Sequence, residues 1–337
     1  MIEYVDLNHS QELDAWVLQH KNAHFMQSSL WGNVKTDWGW HGIICRDNRG
    51  HIRGTMAVLR HDISALKTCL LYAPRGPIIH EKDTAVFCEL VEGARELGNS
   101  LGAYRLRIDP RIKECNLLFR QSAERIGFRL DSSEDFSLFQ PRLCYIRDLR
   151  GHTPQSLFSS YHRSCRNHIH RAQRLGATVR IANADEVSVF YSMMEETADK
   201  NGFEAKNEDY YRRLLYFMPE NAKLFFVCVD NVPIASAISV IYGSCCWLMY
   251  ACSYRKGLKY YPNELLQWVM QCDALKHGCR YYDFRGVEGQ PELTNPKYGL
   301  HQFKRGFGAE FVSYLGQMDL NIRPIISKAV DIVYKLI

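Results

Sequence analysis

No Cys-x-x-Cys pair occurs among the twelve cysteines, and their spacing follows no repeat. A zinc ribbon, a dithiol redox centre and a disulfide framework are therefore disfavoured, and the cysteines read as reduced core thiols. His168 and His170 lie two apart on a predicted helix and so point to different faces, which argues against a shared metal ion. Residues 1–11 have neither a basic start nor an apolar core, a pattern that points away from export and towards the cytoplasm. The chain has no low-complexity tract, and its net charge of +5 is too small to demand a nucleic acid, although it permits an anionic partner. The uncharged run from Asn231 to Tyr254 is long enough to suggest a membrane span. Pro233, Gly243-Ser244 and the polar residues Ser236, Ser239, Tyr242 and Cys245 break it instead into two buried strands and a turn.

At 337 residues, with 46% hydrophobic and 23% charged side chains, the chain exceeds one comfortable core and predicts two domains. Hydrophobic periodicity and turn signals predict a helix over 13–37, a hairpin over 41–62 and a strand over 68–73. A helix over 84–101, between Asp83 and Gly102, and a strand over 104–109 follow. The same order then returns. Thr153-Pro154 opens a helix reaching Gly176, and further helices cover 185–200 and 208–218. Strands over 223–229, 234–242 and 245–252 precede a helix over 263–277 and a strand over 280–284. Cys45-Arg46-Asp47-Asn48 and Cys228-Val229-Asp230-Asn231 occupy equivalent turns, which points to an internal duplication. A strand meander followed by helix and strand is the order of the N-acetyltransferase (GNAT) fold. The expected class is α/β (α+β with mixed sheets), with two GNAT-like domains about a cleft.

Several strings in this order resemble the FemABX peptidyltransferases, almost end to end. They are Gln27-Ser28-Ser29-Leu30-Trp31 with Lys35, Tyr72 to Pro77, Arg107 to Pro110, and Tyr161-His162-Arg163 with Arg166 to Ile169. The second half adds Leu265 to Trp268, Tyr282 to Val287, Tyr298-Gly299-Leu300, and Phe303-Lys304 before Phe307-Gly308. No charged heptad region is present, so the chain is similar to the compact FemX type without the helical arm.

The resemblance implies a first domain over 1–146 plus 317–337 holding a precursor-binding cleft, and a second over 147–316 holding the catalytic lysine and tRNA contacts. It implies transfer of an amino acid from aminoacyl-tRNA to the stem-peptide side-chain amine of a UDP-linked muramyl pentapeptide or of lipid II. The implied enzyme is an aminoacyltransferase with no cofactor beyond its co-substrate, a monomer that touches the membrane peripherally if its acceptor is lipid-linked. Lys304 is the first candidate for chemistry, a fixed ammonium facing the oxyanion formed when an amine attacks an ester. Composition alone reads it as a solvated lysine beside Arg305. Asp109 is the second candidate, as an acceptor or orienter of the amine's proton, against a plain reading as a turn cap. Lys35, Arg212, Tyr216, Tyr104 and Tyr254 resemble precursor-contacting residues, and Phe303 joins them as Lys304's neighbour.

Residues 149–184 hold six arginines, four histidines and no acid. Arg163, Arg166, His170 and Arg174 form one helical stripe suited to tRNA phosphates, opposite an apolar side of Phe158, Tyr161, Cys165, Ile169 and Ala172. The tail over 325–337 is amphipathic, with packing on the first domain the ordinary reading and membrane contact the other. The rivals are a CoA-dependent GNAT-type N-acyltransferase and a non-catalytic tRNA- or precursor-binding protein. The first needs a glycine-spaced pyrophosphate turn that Arg255-Lys256-Gly257-Leu258-Lys259 does not supply.

Overall fold

In the computed structural model, which describes residues 1–336, the chain divides into two compact units. Unit 1 comprises residues 1–143 and the segment from Ser313 onward, and unit 2 comprises residues 144–312.

In unit 1 the order is β1 (Ile2–Val5), α1 (Gln11–Gln19), α2 (Ser29–Val34), β2 (Gly39–Arg46), β3 (Ile52–Ile63), β4 (Thr68–Ala73) and β5 (Ile78–Ile79). Next come α3 (Thr84–Leu101), β6 (Ala103–Ile108), α4 (Leu117–Ile126) and β7 (Arg129–Asp131). Unit 2 holds β8 (Leu143–Asp148), α5 (Pro154–Ser159), α6 (Arg163–Arg174), β9 (Thr178–Ile181), α7 (Val187–Asn201) and α8 (Glu208–Phe217). It continues with β10 (Ala222–Val229), β11 (Val232–Tyr242), β12 (Cys245–Ser253), α9 (Pro262–Lys276), β13 (Tyr281–Gly286), α10 (Tyr298–Gly306) and β14 (Glu310–Ser313). The chain ends in unit 1 with β15 (Gln317–Asn321) and α11 (Pro324–Leu336).

The first sheet runs β1-β2-β3-β4-β6-β15-β7, with β5 on β3; the second runs β14-β8-β13-β12-β11-β10-β9. Each contains an antiparallel meander followed by one parallel neighbour, β4 with β6 and β12 with β13, across a long helix. That helix is α3 in unit 1. Asp83 caps it by accepting from the Val86 amide, and Gly102 ends it at φ +72°, where a side chain would be strained. Its Phe87, Leu90, Val91 and Ala94 are buried against Met56, Val58, Leu71 and Leu106, each contributing on the order of 1–3 kcal/mol by leaving water. The mixed sheets and crossover helices give the expected α/β, GNAT-like class.

Two predicted helices are shorter than periodicity suggested. Residues 13–37 form α1 and α2 with a non-α link, because His20 and His24 adopt extended backbone and His24 Nδ1 takes the Met26 amide. The predicted helix from Thr153 to Gly176 breaks between Ser159 and Arg163, where His162 is extended and its amide donates to the Gly306 carbonyl. Phe158 therefore belongs to α5, not to the apolar face of α6. All twelve cysteines carry free thiols, nine of them buried. Among the described residues no helix is long and apolar enough to cross a membrane. Asn231–Tyr254 is the β11–β12 hairpin.

α11 packs on β6 through buried Val330, which joins Leu70 and Tyr104, while Ser327 Oγ donates to the Tyr104 carbonyl and Asp331 pairs with Arg105. Its outer face leaves Ile325 and Ile332 exposed.

Candidate active site

β12 and β13 pair in parallel only at Cys245–Tyr281, Cys246–Tyr282 and Trp247–Asp283. Beyond that point β12 stays on β11 as far as Ser253, whereas β13 turns to β8, meeting it again at Gly286–Cys144 after an irregularity. The sheet is thus split along half its length. In unit 1, β4 and β6 pair from Cys69–Ala103 through Ala73–Ile108.

Lys304 of α10 stands in this split. It is 4% exposed, and its Nζ donates to the carbonyls of Phe284 (2.8 Å), Arg285 (3.1 Å) and Gly286 (2.6 Å). Successive carbonyls of a straight strand point in opposite directions, so three in a row cannot meet one nitrogen. The left-handed backbone of Arg285, φ +62°, turns its carbonyl to join its neighbours, and Asp283 Oδ1 holds that residue by accepting its amide at 2.7 Å. Three acceptors use all three protons of an ammonium. The same burial pushes the Lys304 amine down to about 8 from its usual 10.5; desolvation is the largest cause, Cys144 and Asp283 oppose it, and Arg285 adds to it. The reading of Lys304 as a solvated lysine is thereby overturned.

A cavity of about 640 Å³ opens beside it within unit 2. Leu248, Ala251, Cys252 and Ser253 of β12 and Phe284 of β13 form its floor; Asn263, Leu266 and Gln267 of α9, with Phe303 and Lys304 of α10, form its walls. Lys200 and Asn201, at the end of α7, reach the same space. An apolar chamber with a buried cation on its wall and a second cation at α7 suits a ligand that is anionic outside and acyl inside. Lys200 and Asn201 carry no motif signal, since on α7 they read only as ordinary polar helix positions, whereas Gln267 lies within the Leu265 to Trp268 string without a role of its own there. The Tyr282 to Val287 string belongs to the resemblance, yet only the folded turn shows that its main-chain carbonyls hold the ammonium.

The other candidates fall elsewhere. Tyr254 follows the cavity residue Ser253, and burial raises its hydroxyl pKa, with Glu196 adding to the rise. Arg212 and Tyr216 share the outer face of α8. Tyr216 is 75% exposed and Arg212 is bonded to Glu208, and neither lines the Lys304 cavity. Lys35, Tyr104 and Asp109 belong to unit 1. Lys35 caps α2 with its ammonium 6.0 Å from the Trp31 ring centroid and 5.8 Å from that of Trp38. Tyr104 is buried beside Leu70 and Val330.

Asp109, 1% exposed, accepts the Tyr72 hydroxyl and the Arg75 amide, each at 2.5 Å, so it holds the turn in which Arg75 has φ +58°. Burial, reinforced by the Asp109 charge, raises the Tyr72 hydroxyl well above its usual range, so it stays protonated and donates.

On α6, Arg163, His170 and Arg174 are exposed while Cys165, Ile169 and Ala172 are buried. Arg166 instead closes the C-terminus of α5, donating to the carbonyls of Ser159 and Tyr161. We therefore expect Arg166→Ala to cost about 1–3 kcal/mol of unit 2 stability, checked by thermal unfolding.

The N-terminus of α9 is the place where a GNAT protein would bind pyrophosphate. It carries Glu264 in its first turn, bonded to His168, after Tyr261 at φ +55° and Pro262. An acid there occupies the positive end of the helix and repels a phosphate. Among the described residues no group of three or more His, Cys, Asp or Glu could hold a metal ion.

An antiparallel meander followed by a helix and a parallel strand, repeated in two units and split at the parallel pair in unit 2, defines a tandem GNAT-like protein. A solved FemX structure superimposes at TM-score 0.87 with 21% identity, over 98% of this chain and 99% of that one. A tandem GNAT protein from the clavulanic acid biosynthesis pathway gives 0.59 at 11% identity, over 96% and 99%. The chain matches the FemAB family over residues 9–232 and 229–335, and it belongs to that family. Lipid II:glycine glycyltransferases of Staphylococcus haemolyticus (strain JCSC1435) and Staphylococcus aureus (strain bovine RF122 / ET3-1) are each 23% identical, over 92% of this chain and 91% of theirs.

Proposed function

We propose that the chain is a peptidoglycan interpeptide-bridge transferase that moves an amino acid from its tRNA ester to the side-chain amine at the third position of a precursor's stem peptide. The observation that carries this reading is the buried Lys304 ammonium on the wall of the β12/β13 split. Family membership and the 23%-identical glycyltransferases support the reaction class. The neutral amine attacks the ester carbonyl and a C–N bond forms. The bond to the ribose oxygen breaks, and the amine proton leaves with that oxygen. The protein aligns two large substrates and stabilises the oxyanion, for which a fixed, buried cation is worth several kcal/mol. Lys304 supplies that charge, and Lys200 and the exposed α6 cations face the donor's phosphates. In this reading Asp109 and Lys35 are acceptor contacts of unit 1, and Arg212, Tyr216 and Tyr254 are acceptor contacts of unit 2, each taken within its own unit.

The test incubates the pure protein with mixed charged tRNAs and either a UDP-linked muramyl pentapeptide or lipid II, and weighs the product. A gain of one amino-acid residue, lost after ribonuclease treatment and not replaced by acyl-CoA, is the expected result. A gain that survives ribonuclease and needs acyl-CoA refutes it. A narrower expectation concerns α6. In Arg163→Ala/Arg174→Ala, the slope of log KM for tRNA against log salt falls by about 0.7–0.9 for each phosphate that α6 no longer neutralises, with KM for the acceptor unchanged. An unaltered slope removes α6 from the donor site.

A further inference from the structure

A second concavity of about 300 Å³, lined by Pro154, Gln155, Phe158, His170, Gln173 and Trp268, lies between α5, α6 and α9 and shares no residue with the Lys304 cavity. Its walls are aromatic. The Phe158 ring stands 5.5 Å from Trp268 at 62° and 5.0 Å from His170 at 66°. Trp268 Nε1 is buried without a hydrogen-bond partner. A buried donor without a partner is a cost that the fold carries at this wall. Gln155 and Gln173 offer amides, each both donor and acceptor, at the rim. No carboxylate lines the slot, and the stretch 149–184 that supplies five of its six residues has no acid at all. Exposed Arg163 and Arg174 share α6 with the slot residues His170 and Gln173.

A concavity lined by aromatic rings and amides, beside a helix that carries exposed arginines, fits a planar heteroaromatic group carried on a polyanion. An aliphatic chain would gain nothing from the amides or the arginines, and an anionic peptide would gain nothing from the stacking surface. The slot is also separated from the chemistry. Asn263, Leu266 and Gln267 turn one face of α9 to the Lys304 cavity, while Trp268, about 100° further round, turns another to the slot.

Building on the tRNA-donor reading, we propose that this slot takes one unstacked base of the RNA donor, outside its aminoacylated end. The base stacks on the Trp268 ring, with the Phe158 ring, inclined at 62° to it, meeting the base at its edge, while the neighbouring phosphates meet α6. This adds a grip on the body of the RNA, across α9 from the reacting ester.

The experiment compares Trp268→Leu, which removes the stacking face, with Trp268→Phe, which keeps one. Each is assayed with full aminoacyl-tRNA and with an aminoacylated CCA trinucleotide. KM for the full donor is expected to rise roughly 5- to 150-fold in Trp268→Leu and to stay near wild type in Trp268→Phe. Rates with the trinucleotide are expected to be the same for all three proteins. An unchanged KM in Trp268→Leu overturns the slot, and so does an equal loss with both donors, which would mark Trp268 as packing only.

Should Trp268→Leu not fold, ultraviolet cross-linking of the wild-type protein to uncharged tRNA decides. Cross-links on peptides containing Phe158 or Trp268 support the slot, and cross-links only elsewhere overturn it. A wild-type protein that neither uses charged tRNA nor cross-links to it overturns the donor reading together with this one, whereas the other negative results overturn the slot alone.

Discussion

Lys304→Met is expected to lower kcat by about 10²–10³-fold, the loss typical when one fixed oxyanion-stabilising group is removed. Methionine matches the lysine stem in length, so the cavity wall keeps its shape while the charge goes. The carbonyls of Phe284, Arg285 and Gly286 then lose their shared donor, and the turn that parts β13 from β12 loosens. Thermal stability should therefore fall as well. Lys304→Arg should not rescue turnover, because a planar guanidinium cannot reproduce one nitrogen serving three carbonyls at a 4%-exposed position.

The pH dependence gives this expectation a second signature. The folded amine sits near 8 and the unfolded one near 10.5. The charged form does the work, so activity carried by Lys304 is complete below about pH 8 and declines as pH rises through it. Stability moves the other way. Between about 8 and 10.5 the unfolded chain binds more protons than the folded one, so this group's contribution to stability grows with pH. Initial rates and urea midpoints across pH 7–10 measure both, and neither trend should remain in Lys304→Met. Wild-type turnover in Lys304→Met would remove the ammonium from the chemistry.

Asp109→Asn is the second large effect, with an expected loss of about 1–3 kcal/mol of stability and a fall in kcat/KM for the acceptor of about 10- to 100-fold. The buried carboxylate serves two donors, the Tyr72 hydroxyl and the Arg75 amide. An amide offers one oxygen and turns an NH₂ towards donors, so one buried donor is left without an acceptor. The turn at Arg75 loosens, and with it the surface proposed to orient the amine. Tyr72→Phe, which leaves the Arg75 contact intact, should lie between wild type and Asp109→Asn in both readouts. An Asp109→Asn enzyme that unfolds earlier yet keeps its full kcat/KM would reduce Asp109 to holding the turn.

Much of the fold was legible because it is written in local signals. Short apolar runs bounded by turn residues marked β3, β10, β11 and β12, and Asp83 and Gly102 marked both ends of α3. The split of residues 153–176 into two helices was not legible, because it rests on the Arg166 guanidinium closing α5 and on the His162 amide reaching the Gly306 carbonyl, far along the chain. Within the candidate site, Lys304 and Phe303 were legible through their motif, while Lys200 and Asn201 were not, because nothing local separates a cavity-facing polar residue from a wet one.

By itself the amino-acid sequence determined the repeated order of strands and helices, the run of cations without acids around α6, and the motifs that tie the chain to its family. Each is a property of neighbours along the chain, where side-chain periodicity and charge are fixed by covalent order. Only the tertiary structure decided that Lys304 is buried, that three consecutive carbonyls hold it, and that the parallel pair is split in unit 2 and closed in unit 1. Those outcomes depend on α10 meeting the end of β13 in space, and burial and hydrogen-bond partnership arise only when distant segments pack.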